Sequence, residues 1–131
     1  VLNINTADTS AFISLLGIGS KLANRIVTFR EKLGGFYSVE QVKEIYGLAD
    51  SVFQKIKPAL QCVPFSVRTI NVNTDDVNTL KQHPYIKWPL ANAIIQYRQQ
   101  HGAYQSTDEL LEITILTPEI FEKLRPYLVV Q

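Results

Sequence analysis

The sequence has no methionine, one cysteine, almost no net charge and no long apolar run. The lone Cys62 has no partner for an intrachain disulfide and excludes a structural zinc site built on several thiolates. No apolar stretch approaches the ~20 residues that a membrane-spanning helix needs, so this stretch of chain is expected to make no membrane contact of its own. No signal peptide opens it either. Because a natural product begins with methionine, the chain is expected to be a processed or trimmed piece, from which an anchor or targeting segment could have been removed. The net charge of +1 over 131 residues does not by itself announce a nucleic-acid or membrane partner. Chemistry-bearing clusters are missing as well. There is no His/Cys/Asp set at metal-ligand spacing, no glycine-rich P-loop and no nucleophile–base pair, so no catalytic residue is assigned and an enzyme is not expected.

What the sequence does contain is a copy of itself. Residues 2–61 align with 70–129 at a constant offset of 68 without a gap, and nineteen of the sixty pairs are identical. "NINTADTSAF" matches "NVNTDDVNTL", and "LANRIVTFREKLGGFYS" matches "LANAIIQYRQQHGAYQS". Such self-similarity fixes architecture before any residue-level reading. Two units are expected, 1–63 and 64–131, joined by the connector "CVPFSVRT" at 62–69.

Each copy has the pattern of short helices. Thr6 is a candidate N-cap ahead of the apolar positions Ala7, Ala11, Phe12 and Leu15, and Thr74 is its counterpart. A second helix is expected from about Ser20 to Leu33, closed by Gly34 and Gly35. Ser38 with Gln41 three residues on forms a capping box for a third, echoed at Ser106. Asp50 could cap a fourth, which Pro58 stops, as Pro126 does in the second copy. The fold class is therefore all-α: two tandem repeats of about 60 residues, about eight short helices, essentially no sheet. A weaker symmetry at an offset of 30 relates "LLGIGSKLANRI" (15–26) to "IYGLADSVFQKI" (45–56). The chain thus carries four helix–turn–helix elements, with turns at 17–19, 47–49, 85–87 and 115–117.

The first of these turns is distinctive. In Gly17-Ile18-Gly19 the glycines tolerate positive φ and permit close approach to the backbone. Ile18 can plug the core and hold the turn rigid. The turn feeds a helix N-terminus, whose first amides lack intrahelical partners and whose dipole favours an anion. Two readings follow: a cradle for one or two phosphates, or simply a tight interhelical turn. Beyond it, Lys21, Arg25, Thr28 and Lys32 share one helix face, either as a basic stripe for a phosphate backbone or as an ordinary solvated face.

With these residues in view, the chain resembles the helix-hairpin-helix module of ComEA-type competence and DNA-uptake proteins over nearly its whole length. The turn usual there is Leu-Pro-Gly-Ile-Gly-Pro; here Leu16 and Ser20 stand where prolines are common, while Gly17, Ile18 and Gly19 fit. The resemblance implies paired hairpins that bind DNA without sequence preference, through backbone amides to phosphate. By residue-to-residue carry-over it assigns the contact to Gly17, Ile18, Gly19, Ser20 and Lys21. The basic face of the following helix adds Arg25, and duplex DNA is the favoured form. The resemblance implies no cofactor, but admits a monovalent cation at the 17–19 turn. It also suggests a bacterial cell-envelope setting, periplasmic or membrane-anchored in a full-length protein.

The second copy lacks these features. Tyr85 and Lys87 replace the glycines, and Pro89, Ala93, Gln96 and Gln100 replace the stripe. Residues 2–61 hold seven Lys/Arg and five Asp/Glu (+2); residues 70–129 hold five and seven (−2). A phosphate-binding surface is expected on the first copy alone. Lys87 could still offer its side chain, and Trp88 beside Tyr85 is either an anchor for a protein partner or a cover for the seam between repeats. In "GLAD" the carboxylate of Asp50 occupies the anion position, and "ILTPE" has no glycine. The alternative function is a degenerate helix-hairpin-helix scaffold serving protein–protein interaction or a structural role. Asn3, Asn5, Asn71 and Asn73 are expected to bond local backbone, Phe36 and Tyr104 to dock in the core, and Arg30–Glu44 with Arg98–Glu112 to form internal ion pairs.

Overall fold

The computed structural model describes residues 1–63 and 67–131, and contacts divide the chain into Val1–Val67 and Arg68–Gln131. Residues 64–66, at the expected boundary after residue 63 and within the expected connector 62–69, lie outside the described residues.

Unit 1 runs β1 (Leu2–Asn3), α1 (Thr9–Ile13), α2 (Ser20–Leu33), a 3₁₀ helix Val39–Glu44, α3 (Asp50–Ile56), a 3₁₀ turn Lys57–Ala59 and β2 (Leu60–Gln61). Unit 2 repeats the order: β3 (Ile70–Asn71), α4 (Val77–Lys81), α5 (Lys87–His101), 3₁₀ helix Thr107–Glu112, α6 (Pro118–Leu124), 3₁₀ turn Arg125–Tyr127 and β4 (Leu128–Val129). Among the described residues, six α-helices and two six-residue 3₁₀ helices make up the all-α class. Among the described residues the strands amount to one two-residue parallel pairing per unit, Leu2 opposite Leu60 and Ile70 opposite Leu128. Each pairing ties the start of a repeat to its end.

α2 spans the expected residues, and Gly34 closes it in the left-handed region at φ 84° with its amide bonded to the Arg30 carbonyl. Phe12, Ile26, Leu33, Phe36 and Phe53 form the centre of unit 1, and Leu80, Ile94, Leu110, Phe121 and Tyr127 that of unit 2, all fully buried. The capping box forms at Ser38 and Gln41. Three caps lie elsewhere than the sequence suggests. Asp8, not Thr6, caps α1, its Oδ1 accepting the Ala11 amide at 2.8 Å, and Asp76, not Thr74, accepts the Thr79 amide at 2.8 Å. A carboxylate makes the stronger, charge-assisted bond, so it takes the cap. The threonines end the preceding turn instead, donating their amides to the Asn3 and Asn71 carbonyls. At α3 the cap is Ala49, and Asp50 is the first helical residue.

Two clamps recur at the same offset. The Asn5 side chain accepts the Phe36 amide at 2.8 Å and donates to the Phe36 carbonyl at 3.0 Å. Asn73 does the same to Tyr104, at 2.7 and 3.1 Å. These asparagines therefore reach 31 residues along the chain, beyond the local bonding expected of them. Phe36 and Tyr104 are thereby held in the cores. The expected Arg30–Glu44 and Arg98–Glu112 ion pairs are corrected. Arg30 Nη1 donates to the carbonyls of Ile4 (3.0 Å) and Ala7 (2.6 Å), and its Nε faces Glu31. Arg98 Nη1 donates to Val72 (2.8 Å) and Asp75 (2.9 Å). Each arginine recurs because it satisfies carbonyls in the turn before the first helix, which have no helical partner.

Candidate nucleic-acid interface

The four hairpin turns share one structural device. An apolar residue in each points inward and is buried: Ile18, Leu48, Ile86 and Leu116. They differ in what becomes of the amides at the helix start.

At the first turn the two glycines have separate jobs. Gly17 adopts φ +90°, and a Cβ there would stand 3.0 Å from a Val52 methyl of α3. Its identity is required by the fold. Gly19 is extended (φ −95°, ψ −175°), is the N-cap of α2, and a Cβ on it would meet nothing within 4 Å. Its backbone matches those of Asp8 (−90°, 179°) and Asp76 (−84°, 172°), which carry capping carboxylates. The fold would accept such a cap at 19, but the residue there has no side chain. As a result no side chain bonds the start of α2. Among the described residues no acceptor meets the amides of Gly19, Ser20, Lys21 or Leu22; the first helical bond runs from Ala23 to the Gly19 carbonyl at 3.0 Å. Gly17, Gly19, Ser20 and Lys21 are all exposed. The turn is thus an open row of donors at a positive helix end, with one ammonium beside it.

The second turn is built alike, with Gly47 at φ +86°, but α3 has only seven residues and carries Asp50 in its first turn. At the third, the positive φ has moved to Lys87 (φ 55°), because Tyr85 stands where Gly17 would take it. The Lys87 amide is spent on the His83 carbonyl at 3.3 Å, and Pro89 has no amide to offer. Trp88 is 56% exposed and Tyr85 half-buried, its ring 5.9 Å from Lys123 Nζ. At the fourth turn, the Thr117 hydroxyl caps α6 by accepting the Ile120 amide at 3.2 Å.

Of the six residues singled out from sequence, five sit together at the first turn. Arg25 is half-buried and already engaged. Its Nη1 donates to the Tyr46 carbonyl at 2.8 Å, its guanidinium carbon lies 5.0 Å from the centre of the Tyr46 ring, and Nη1 fills the space over Gly47. Arg25 therefore joins α2 to the second turn. The sequence held a signal for this, since Arg25, Tyr46 and Gly47 are replaced together by Ala93, Thr114 and Ile115. Thr28 and Lys32 are exposed farther along α2.

Titration adds little to this site. The Asp76 carboxyl is held below its ordinary value, first by the Thr79 amide. Burial raises the Tyr104 hydroxyl well above its ordinary value, and it donates to the Ile94 carbonyl at 2.9 Å. Among the described residues no group of three or more His, Cys, Asp or Glu could hold a metal ion, and no helix is long and apolar enough to cross a membrane.

Comparison with known proteins matches both copies of the repeat. The family model described as "Helix-hairpin-helix motif" matches twice, at residues 1–61 and 66–129. An "Endonuclease/exonuclease/phosphatase family domain-containing protein 1" of Xenopus laevis is 28% identical over 99% of this chain, but the chain spans only 27% of that protein. An uncharacterized protein of Haemophilus influenzae is 47% identical over 41% of the chain and 49% of its own length. "ComE operon protein 1" of Bacillus subtilis is 32% identical over 46% of the chain and 29% of its own length. No solved structure gives a significant match.

Proposed function

This chain belongs to the helix-hairpin-helix motif family, and we propose that it binds DNA without sequence preference, gripping a phosphate on the amides at the start of α2. Gly19 carries the reading. It is a glycine that neither φ nor packing demands, at an N-cap whose backbone matches those of Asp8 and Asp76, the carboxylate caps of α1 and α4. Leaving the amides bare makes sense for an anion from outside. Gly17 and Ile18 shape the turn, Gly19, Ser20 and Lys21 supply amides, and the Lys21 ammonium adds charge. Arg25 acts by holding the second turn in place. Duplex DNA is the favoured form, and the resemblance to ComEA-type competence and DNA-uptake proteins, which the match to ComE operon protein 1 accompanies, supports a role in DNA uptake or competence and a cell-envelope setting. The long relatives' name refers to a domain of those proteins, of which this chain matches only about a quarter (27% for the Xenopus laevis protein). For this chain we propose binding without catalysis.

Few phosphates are engaged, so affinity falls at the weak end of non-specific binding, roughly 10⁻⁴ M, with a shallow salt dependence. Titration of a random-sequence duplex at two salt concentrations tests this. Saturable binding that weakens modestly with salt is expected; no binding at low salt would overturn it.

A second reading applies to unit 2. There Trp88 and Ile115, each 56% exposed, occupy the positions of Ser20 and Gly47. That exchange of small for large apolar residues supports a protein-contact role for the unit with net charge −2. Loss of a captured partner on Trp88→Ala, with DNA affinity unchanged, is the expected result.

A further inference from the structure

We propose that Leu16 and Tyr46 are apolar contacts to duplex DNA, lying against the sugar and base edges that flank the phosphate held at α2; this rests on the DNA-binding reading above. Leu16 is 80% exposed and Tyr46 83% exposed, the two most exposed large apolar residues among the described residues of unit 1 apart from Val1. They are not scattered. Each immediately precedes a turn glycine of positive φ, Gly17 and Gly47, and they correspond at the internal offset of 30. The two turns are packed reciprocally: Gly17 lies against Val52 of α3, and Gly47 against Leu22 and Arg25 of α2. Leu16 leads into the turn that opens α2. Tyr46 is fixed to the same end, because Arg25 bonds its carbonyl and covers its ring, and Arg25 shares a helix face with Lys21.

Both side chains stand largely in solvent, and an exposed leucine and tyrosine cost solubility. A strand docked on the α2 amides would cover both. The phosphate meets the amides and Lys21, and the apolar pair meets the less polar deoxyribose beside it. Unit 2 serves as the control within the chain. Where the amides are consumed and the charge is reversed, the corresponding residues are Pro84 and Thr114. Unit 1 has both an apolar residue before each turn glycine and an open helix start; unit 2 has neither, and its exposed Trp88 and Ile115 stand at other positions. A Tyr46 ring backed by a guanidinium is also held in one orientation, so less conformational freedom is lost on binding.

The test uses the whole chain with a labelled random-sequence duplex, and with an oligothymidine single strand as a second arm. Leu16→Ser and Tyr46→Ala are each expected to weaken duplex binding about fivefold to tenfold, the scale of a partly buried apolar side chain. Tyr46→Phe should stay within about twofold of the parent, and none of the three should change the slope of log K against log salt, since no charge is removed. Duplex affinity unchanged in both Leu16→Ser and Tyr46→Ala overturns the proposal while leaving the phosphate grip standing. A loss confined to the single strand, or one accompanied by a shallower slope, also overturns it. No binding by the parent chain would remove the underlying reading, and this one with it.

Discussion

Arg25 Nη1 lies 2.8 Å from the Tyr46 carbonyl oxygen, and that one bond joins the long helix of unit 1 to its second turn. A cation on the face of α2 is thereby a strut between hairpins. It follows that Arg25 and Lys21 separate in a salt titration. Lys21→Ala should make the slope of log K against log salt shallower by about 0.9, the loss of one phosphate contact, whereas Arg25→Ala should leave the slope nearly unchanged. Arg25→Ala should instead lower stability by about 1 kcal/mol through the lost carbonyl bond and ring contact. Equal slope changes in the two variants would make Arg25 a phosphate ligand.

Gly17 is structural. Alanine there must hold φ +90° and push on the Val52 methyl 3.0 Å from its Cβ. Gly17→Ala should cost about 1–2 kcal/mol in denaturant unfolding of unit 1. An unchanged midpoint would show that the turn can relax without its glycine.

Arg30 and Arg98 should be equivalent, although the repeats differ in charge. Each puts one nitrogen on two carbonyls of the turn before the first helix. Arg30→Ala and Arg98→Ala are each expected to destabilise their own unit by about 2 kcal/mol, with buried carbonyls left bare. Hydrogen exchange at the amides of 4–8 or 72–76 reads the loss unit by unit, and protection retained in either segment would contradict the clamp.

Asp76 supplies a pH dependence. Its carboxyl lies below the ordinary 3.8, chiefly through the Thr79 amide. A lowered folded value means that its contribution is full above the unfolded value and is lost as pH falls through the folded one. An NMR titration should place the Asp76 midpoint below 3.8, with the Thr79 amide signal moving in step. A midpoint at or above 3.8 would deny the cap.

Much of this was legible in the sequence, for reasons that differ by residue. The span of α2 could be read because its apolar period and the closing Gly34 are local signals. The repeat itself set the architecture. The cap of α1 is ambiguous in sequence because Thr6 and Asp8 are both good capping residues two positions apart; the stronger carboxylate bond and the turn that ties Thr6 to Asn3 together decide for Asp8. Arg30 looked like half of an ion pair because composition offers a charged partner, while backbone carbonyls leave no trace in a sequence. The separate duties of Gly17 and Gly19 were hidden for a related reason: one letter stands for two needs, a positive φ and an empty space. Helical period puts Arg25 on one face with Lys21, but does not register what the second hairpin brings against it.

The most direct measurement is on Gly19→Asp. Its backbone is already that of Asp8 and Asp76, and a Cβ meets nothing within 4 Å. The new carboxylate should cap the α2 amides and raise stability by about 0.5–1 kcal/mol. The same carboxylate takes the place of the phosphate, so duplex affinity should fall more than about tenfold, as expected when a buried-in contact is exchanged for like-charge repulsion. Asn78→Asp, exposed on unit 2, matches the charge change and should leave affinity unaltered. A more stable protein that no longer binds DNA is the predicted result; Gly19→Asp binding as tightly as the parent would contradict the account.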